Sequence, residues 1–392
     1  MKKIIEETVK FSNVVPGGQA LGELADGRKV FAWGVLPNEV AVVRLTKSKK
    51  HYAEAVAVEI IESSPDRVEP RDDCYLSTSP WQIMSEEAEI KYKSESVVES
   101  FRQEGIDLQL IAITGNGNFY NYRNKMEYSL WYDHDTAKIW PAFHRRGSHQ
   151  KILVKNSSIE RPEIWAEAQR VIAELNANGD EARNYQSLMI RCNQAGEVRS
   201  ALFAMNQPHP TMDTLTDSIL GHEYRYSPNG FFQINLPVYE LALTDMRRFI
   251  NTDKVIDMYS GVGTIGLSIA GDKQLTLVET DNHAFAELEN NLPNDNYIIG
   301  VHAKSEEALE YITSDATVIV DPPRAGLDNR VVDRLLEAQP PRIIYLSCNP
   351  ATQARDTKTL LAKYRIIHNQ PYNFFPRTPH IENLIVLDRV VS

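Results

Sequence analysis

Arg342-Ile-Ile-Tyr-Leu-Ser347-Cys348-Asn349-Pro350 decides the fold class. Positions 342–346 form an apolar, β-branched run, the pattern of a parallel strand buried on both faces. Asn349 suits a helix N-cap and Pro350 a first helical position. A strand that turns directly into a helix is half of a βαβ unit, and the same alternation continues on both sides. Strands are expected at 255–258, 275–279, 297–302, 317–321 and 342–347. Helices are expected at 264–270, 283–292, 305–311, 329–338 and 351–363. A further amphipathic helix at 236–250, capped by Asn235 with Pro237 in its first turn, precedes the set. Segments 364–370 and 384–391 read as closing strands with no helix between them. Residues 226–392 are therefore expected to form a doubly wound, Rossmann-like α/β domain with an antiparallel strand at one edge.

This reading places Cys348 at the carboxyl end of a strand and at the mouth of a helix. Open α/β sheets bind ligands there. The helix dipole and free backbone N–H groups there favour a thiolate. Cys348 thus reads as a nucleophile for covalent catalysis. The alternative is a buried structural cysteine, the usual fate of a lone one.

At 392 residues the chain has room for two or three domains. Residues 1–62 carry short strand-like runs between turn signals such as Pro16-Gly17-Gly18 and Asp26-Gly27, the pattern of a small β-barrel. Pro65 and Pro70 mark a boundary, and residues 63–225 mix helix and strand in a central α+β domain. Apolar runs are too short to span a bilayer. Cys74, Cys192 and Cys348 lie too far apart for a disulfide framework, and a reducing cytoplasm is the expected location. The net charge of −11 argues against a basic coat for nucleic acid, so contact with a polyanion must be local. Residues 1–60 carry nine Lys and Arg against seven Asp and Glu, leaving the negative charge to the remainder. Lys47, Lys49, Lys50, His51 and Tyr52 form one basic cluster, readable as a phosphate-contacting loop or as a solvated turn. The stretch 119–128 alternates like a strand with Arg123 and Lys125 on one face. Interleaved aromatic and basic residues suit single-stranded nucleic acid, and a half-buried sheet has the same pattern. Cys192 reads as core.

Three features of the C-terminal domain describe a nucleotide-like cofactor. Gly261 and Gly263 end the first strand in a tight turn. Glu279 ends the second strand, where an acid accepts from ribose hydroxyls. Asp321-Pro322-Pro323-Arg324 ends the fourth. Gly266 completes the spacing of a dinucleotide motif only nominally. With Asp257 before the turn and Asp321-Pro-Pro after the fourth strand, S-adenosylmethionine is the better reading than NAD.

Several motifs then resemble one family. The stretch from Ser347-Cys-Asn-Pro350 to Asp356 resembles the nucleophile motif of the RNA (uracil-5-)-methyltransferases. Asp321-Pro-Pro-Arg-Ala-Gly-Leu327 resembles their fourth-strand motif. Phe375-Pro-Arg-Thr-Pro-His380-Ile-Glu382 resembles their base motif. Gly230-Phe-Phe-Gln233-Ile-Asn235 and Tyr122-Arg-Asn-Lys-Met-Glu127 also match, and the N-terminal barrel resembles the TRAM domain. The resemblance implies Cys348 as nucleophile and Glu382 as base. It implies Gln233, Tyr259, Thr264, Glu279 and Asp321 as S-adenosylmethionine contacts.

Uracil carbon 5 is a poor nucleophile, and addition of a thiolate to carbon 6 converts it to an enolate. A base must then remove the carbon 5 proton. Many TRAM-bearing relatives bind a four-cysteine iron–sulfur cluster. Here Cys74 alone survives in that segment, and Ser157 stands where another ligand would fall. Three cysteines, one of them catalytic, cannot supply four thiolates, so no iron–sulfur cluster is expected. The TRAM-like barrel favours ribosomal RNA as the partner, with transfer RNA as the alternative. A monomer with no membrane association is expected. Competing readings are an RNA cytosine-5-methyltransferase, an amino-group methyltransferase using Asp321-Pro-Pro, and a non-catalytic RNA-binding factor.

Overall fold

Five short strands close into a barrel at the N-terminal end of the chain. In the computed structural model, which describes residues 5–148 and 150–390, these are β1 (Glu6–Val14), β2 (Ala20–Glu23), β3 (Lys29–Trp33), β4 (Val40–Ser48) and β5 (Tyr52–Glu62). Their order is β1-β2-β3-β5-β4. Alternate side chains such as Phe11, Val30, Ala41, Val43 and Ala53 fill the interior, as strands with one dry face require. The expected basic cluster is split. Lys47 pairs with Glu54 at 2.7 Å, while Lys49, Lys50 and His51 form an exposed turn.

The middle of the chain holds α1 (Tyr75–Thr78), α2 (Glu86–Gln103), β6 (Lys125–Asp133), β7 (Lys138–His144), β8 (Lys151–Leu153), α3 (Pro162–Asn178), β9 (Tyr185–Cys192) and β10 (Val198–Ala204). The strands form an antiparallel sheet in the order β10-β9-β6-β7-β8. Cys192 is fully buried where α3 packs on this sheet. The strand expected at 119–128 starts only at Lys125, because Asn121, at φ 54°, breaks the extended run. Nor do Arg123 and Lys125 form a free basic face. Arg123 Nε donates to the Lys125 carbonyl at 2.9 Å, and Lys125 Nζ donates to the carbonyls of Asn229 and Gly230.

A hairpin, β11 (Leu215–Ile219) and β12 (His222–Tyr226), leads into the C-terminal sheet and packs into its core. There follow α4 (Leu236–Arg247), β13 (Lys254–Asp257), α5 (Thr264–Ile269), β14 (Gln274–Glu279), α6 (Asn282–Asn291), β15 (Ile298–His302), β16 (Ala316–Val320), α7 (Asn329–Ala338), β17 (Arg342–Ser347), α8 (Pro350–Leu360), β18 (Tyr364–Tyr372) and β19 (Glu382–Arg389). The sheet order is β15-β14-β13-β16-β17-β19-β18. One core lies on each face, and α2 contributes Val97 and Phe101 to the second.

Two expectations need correcting here. The antiparallel strand is β19, which lies inside the sheet and pairs with both β17 and β18. Its residues Leu384, Ile385, Val386 and Leu387 are all fully buried, so it needs a neighbour on each side. By contrast β18 alternates buried and exposed residues and takes the edge. The helix expected at 305–311 is two 3₁₀ turns, Ser305–Glu307 and Leu309–Tyr311. Such turns serve as short connectors. The last residue of the strand expected at 384–391 lies outside the described residues.

Candidate active site

Reversal of β19 brings five chemical groups to one edge of the sheet. Glu279 ends β14 and Asp257 ends β13. Asp321 follows β16, Cys348 follows β17, and Glu382 opens β19. These five strands are adjacent in the order β14-β13-β16-β17-β19. Parallel strands present their carboxyl ends at this edge, and an antiparallel strand presents its first residue. The β17–β19 ladder ends at the pair Ser347–Asn383. One more step in that register sets Cys348 opposite Glu382.

The glycine turn between β13 and α5 shapes the half of the site around Asp257. Gly263 has φ 92°, and a Cβ there would lie 2.7 Å from Leu288 Cδ1. Gly266 does more than its nominal spacing promised. Its amide donates to Asp257 Oδ2 at 2.9 Å, and an added Cβ would meet Leu277 at 2.9 Å. This is the close helix–strand packing that a third glycine provides. Glu279 accepts from the amides of Gly261, Thr280 and Asp281 at 2.8, 2.7 and 2.6 Å, which fixes its carboxylate. Asp257 is fully buried, and its Oδ1 has no partner among the described residues. Burial raises its pKa to about 7. Burial, and then the charge of Asp257, raises Asp321 to about 7 as well. Tyr259 packs half-buried against the core, and burial pushes its hydroxyl up to about 12. Gln233 is buried just before α4. Thr264 opens α5, but its hydroxyl already shares a hydrogen bond with Tyr239 at 2.8 Å.

Cys348 is half-buried, whereas Cys74 and Cys192 are buried outright. Asn349 caps α8 by accepting from the Ala351 amide at 3.2 Å, with Pro350 as the first helical residue. Other groups oppose the thiolate-favouring effect expected at this helix mouth. Burial, then the charges of Glu382 and Asp321, push the Cys348 thiol up to about 11, with Arg324 acting in the opposite sense. Glu382 is not a solvated carboxylate. It is 4% exposed, its Oε2 has no partner among the described residues, and burial together with Asp321 raises its pKa well above the usual range. Arg324 donates to a ring nitrogen of His380 at 3.2 Å, so that nitrogen carries no proton. Its carbonyl accepts from Asn349 Nδ2 and Thr352 Oγ1, which ties the 321–327 loop to α8.

The scaffold under this pair escaped the sequence reading. Gln353 and Asn383, both fully buried, are joined through Asn383 Nδ2 to Gln353 Oε1 at 2.8 Å, and Gln353 Nε2 donates to the carbonyls of Asn383 and Tyr345. They lock α8, β17 and β19 together just behind Cys348 and Glu382. On α2, the Glu89–Lys93 pair has the spacing of an exposed helical ion pair but is fully buried. Lys93 donates to Asn373 Oδ1 at 2.6 Å and to the Phe375 carbonyl. Glu89 accepts from the Arg377 amide. Together they clamp the loop that carries His380 and Glu382. No periodicity signals such a clamp, because a buried pair and a surface pair share one spacing.

Cys74 and Ser157 fall in a different polar network. Ser157 donates to Glu160, which also accepts from Tyr128 at 2.5 Å. Burial raises the Cys74 thiol to about 12. Among the described residues no group of three or more His, Cys, Asp or Glu is placed to hold a metal ion.

Residues 307–390 match the family model described as tRNA (Uracil-5-)-methyltransferase. That segment spans the fourth-strand motif, Cys348 and Glu382. Two similar proteins, each named an uncharacterized RNA methyltransferase, come from Enterococcus faecalis and Lactobacillus johnsonii. The first is 26% identical, covering 94% of this chain and 94% of that protein. The second is 28% identical, covering 93% and 94%. The fold resembles that of a Pyrococcus abyssi tRNA (uracil-54, C5)-methyltransferase solved with S-adenosyl-L-homocysteine, at a TM-score of 0.77 and 22% identity. The likeness covers 98% of this chain and 100% of that one. Family match, relatives and shared fold agree with the edge that joins Cys348 to Glu382, and the chain resembles the RNA (uracil-5-)-methyltransferases.

Proposed function

We propose that this protein methylates carbon 5 of a uridine in structured RNA through a covalent adduct between Cys348 and the uracil ring. The observation that carries the reading is the register that sets Cys348 opposite Glu382. S-adenosylmethionine would supply an electrophilic methyl group carrying positive charge. The residues present fit it. Glu279 is fixed by three backbone amides as an acceptor for a ribose. Gly261, where an added Cβ would meet nothing within 4 Å, leaves the turn open to close approach, and the carboxyls of Asp257 and Asp321 favour a cation. Gln233 and Tyr259 flank this edge. Thr264 supports it through Tyr239.

With the cationic methyl donor favouring its ionised form, the Cys348 thiol gives its proton to solvent and adds to carbon 6 of the uracil as the thiolate, and the ring gains enolate character that makes carbon 5 nucleophilic. After methylation the ionised form of Glu382 takes the proton from carbon 5. Electrons of that C–H bond re-form the ring double bond, and the bond from carbon 6 to the Cys348 sulfur breaks. Holding thiol and carboxyl on adjacent strands gives this sequence its proximity advantage. A base in folded RNA must leave its stack to reach them.

Ribosomal RNA is the proposed substrate, on the strength of the TRAM-like barrel with its exposed Lys49–Lys50 turn. Transfer RNA is a second reading, supported by the description of the matched family model. The fold likeness to a Pyrococcus abyssi transfer-RNA enzyme extends across the barrel region and also supports this second reading. Mapping 5-methyluridine in ribosomal and transfer RNA from cells lacking this protein decides between them. Loss of one 5-methyluridine from ribosomal RNA is expected, and an unchanged 5-methyluridine map in both RNAs overturns the reading. We further propose that the protein works without an iron–sulfur cluster. Iron and sulfide near one cluster per chain in anaerobically purified protein would refute that.

A further inference from the structure

The N-terminal barrel touches the loop that carries Glu382. The turn between β1 and β2 is Val15-Pro-Gly-Gly-Gln19. It is closed by the Val15 amide donating to the Gln19 carbonyl and the Gly18 amide donating to the Val15 carbonyl. Gly17 and Gly18 both hold positive φ, 98° and 91°, a conformation open to glycine at little cost. Their surroundings differ. A Cβ on Gly17 would meet nothing within 4 Å. One on Gly18 would lie 2.2 Å from Pro379 Cβ, 2.7 Å from Pro379 Cγ and 3.2 Å from Trp81 Nε1. Pro379 stands three residues before Glu382 and next to His380.

A second tie runs through Trp81, which is 3% exposed and lies in a 3₁₀ turn, Pro80–Ile83. Its Nε1 donates to the Gly18 carbonyl at 3.0 Å, and its backbone amide donates to the Arg377 carbonyl at 3.0 Å. One buried residue thus holds the barrel turn and the loop at once. Its ring shares a buried cluster with Leu36 from the barrel and with Ala88 and Tyr92 from α2, and such close packing resists sliding. The Glu89–Lys93 pair grips the same loop from α2. The loop is therefore held between α2 and the barrel. A module that only captured RNA would need no grip on it.

We propose that the barrel, through Gly18, fixes Pro379 and with it the position of residues 378–382 against Cys348. Gly18 and Trp81 are then positioning residues for the step in which Glu382 takes the carbon 5 proton. The inference rests on the base role of Glu382 proposed above. An ordinary contact begins near 3.4 Å, so a methyl group on Gly18 moves Pro379 by about 1 Å, a shift that costs about 10²-fold when it reaches a reacting group.

The test uses the full chain, S-adenosylmethionine and an RNA that the protein methylates. RNA affinity is measured, and single-turnover reactions are denatured and followed for the covalent adduct and for free methylated RNA. Gly18→Ala should slow release of methylated RNA by about 10²-fold, accumulate the methylated adduct and leave RNA affinity at the native value. Gly17→Ala carries the same positive-φ strain with no neighbour to push, and should release product at the native rate. Trp81→Phe keeps a ring and removes the N–H, and should slow release by about 5-fold, the ordinary worth of one hydrogen bond. Melting curves report folding of each variant. Native release by folded Gly18→Ala, or equal slowing in Gly17→Ala, overturns the inference while 5-methyluridine is still formed. Weaker RNA binding with an unchanged release rate assigns the turn to RNA capture alone and also overturns it. If Gly18→Ala does not fold, a native release rate in Trp81→Phe overturns it. Native release by Glu382→Gln overturns the base reading and this inference together.

Discussion

Cys348 and Glu382 lie one residue beyond Ser347–Asn383, the final pair of the β17–β19 ladder. Facing residues of an antiparallel pair have Cα atoms about 4.5–5.5 Å apart. Their spacing is thus set by backbone pairing, and the buried Gln353–Asn383 bonds hold that pairing from behind. A one-residue slip of β19 would carry the carboxyl away from the thiol.

Glu382→Gln separates base from nucleophile. The amide keeps the shape but cannot take the carbon 5 proton as a carboxylate does. Turnover should fall by about 10²–10⁴-fold, and a methylated protein–RNA adduct should accumulate with ordinary uridine. Mass spectrometry of the denatured complex checks this, and normal turnover would move the base role elsewhere.

Protonation of the thiol gives a pH-dependent test. Burial and the two carboxylates hold Cys348 up to about 11 in the free protein. Alkylation by iodoacetamide should therefore be slow at pH 8 and rise toward a midpoint near that value. A cation beside the same groups favours the ionised forms. Addition of S-adenosylmethionine should lower the midpoint more than S-adenosylhomocysteine does. A free-protein midpoint at or below pH 9 would contradict the electrostatics described.

Asp257 should trade stability for binding. Its folded pKa is raised to about 7 from an ordinary 3.8, so the fold prefers the neutral acid. That preference is intact below about pH 4 and is lost as pH rises through about 7. Asp257→Asn retains an acceptor for the Gly266 amide and never ionises. Its melting temperature should exceed that of the native protein at pH 8, with the gap closing toward pH 4. Affinity for S-adenosylmethionine should fall. Calorimetry at both pH values checks the sign.

Much of this site was legible because its residues sit at element boundaries. Strand ends, the Asn349-Pro350 helix start and the Gly261–Gly263 turn announce themselves through local chemistry, so Cys348, Asp257, Glu279 and Asp321 could be placed before the fold was seen. Glu382 could be assigned only through a motif, because a glutamate at a strand start is ordinarily solvated. What stayed hidden depended on long-range packing. The Glu89–Lys93 clamp and the Gln353–Asn383 lock join residues up to hundreds of positions apart. The internal position of β19 was hidden too, since its uniformly apolar run fixes burial but not order.

The central claim is that Cys348 attacks carbon 6 of a uridine. RNA carrying 5-fluorouridine at the target position tests it most directly, because fluorine cannot leave carbon 5 as a proton does. With S-adenosylmethionine, native protein should form an adduct that survives denaturation, and so should Cys74→Ala and Cys192→Ala. Cys348→Ala should form none. An adduct that persists in Cys348→Ala, or the lack of any adduct with native protein that methylates the unsubstituted RNA, would contradict the account.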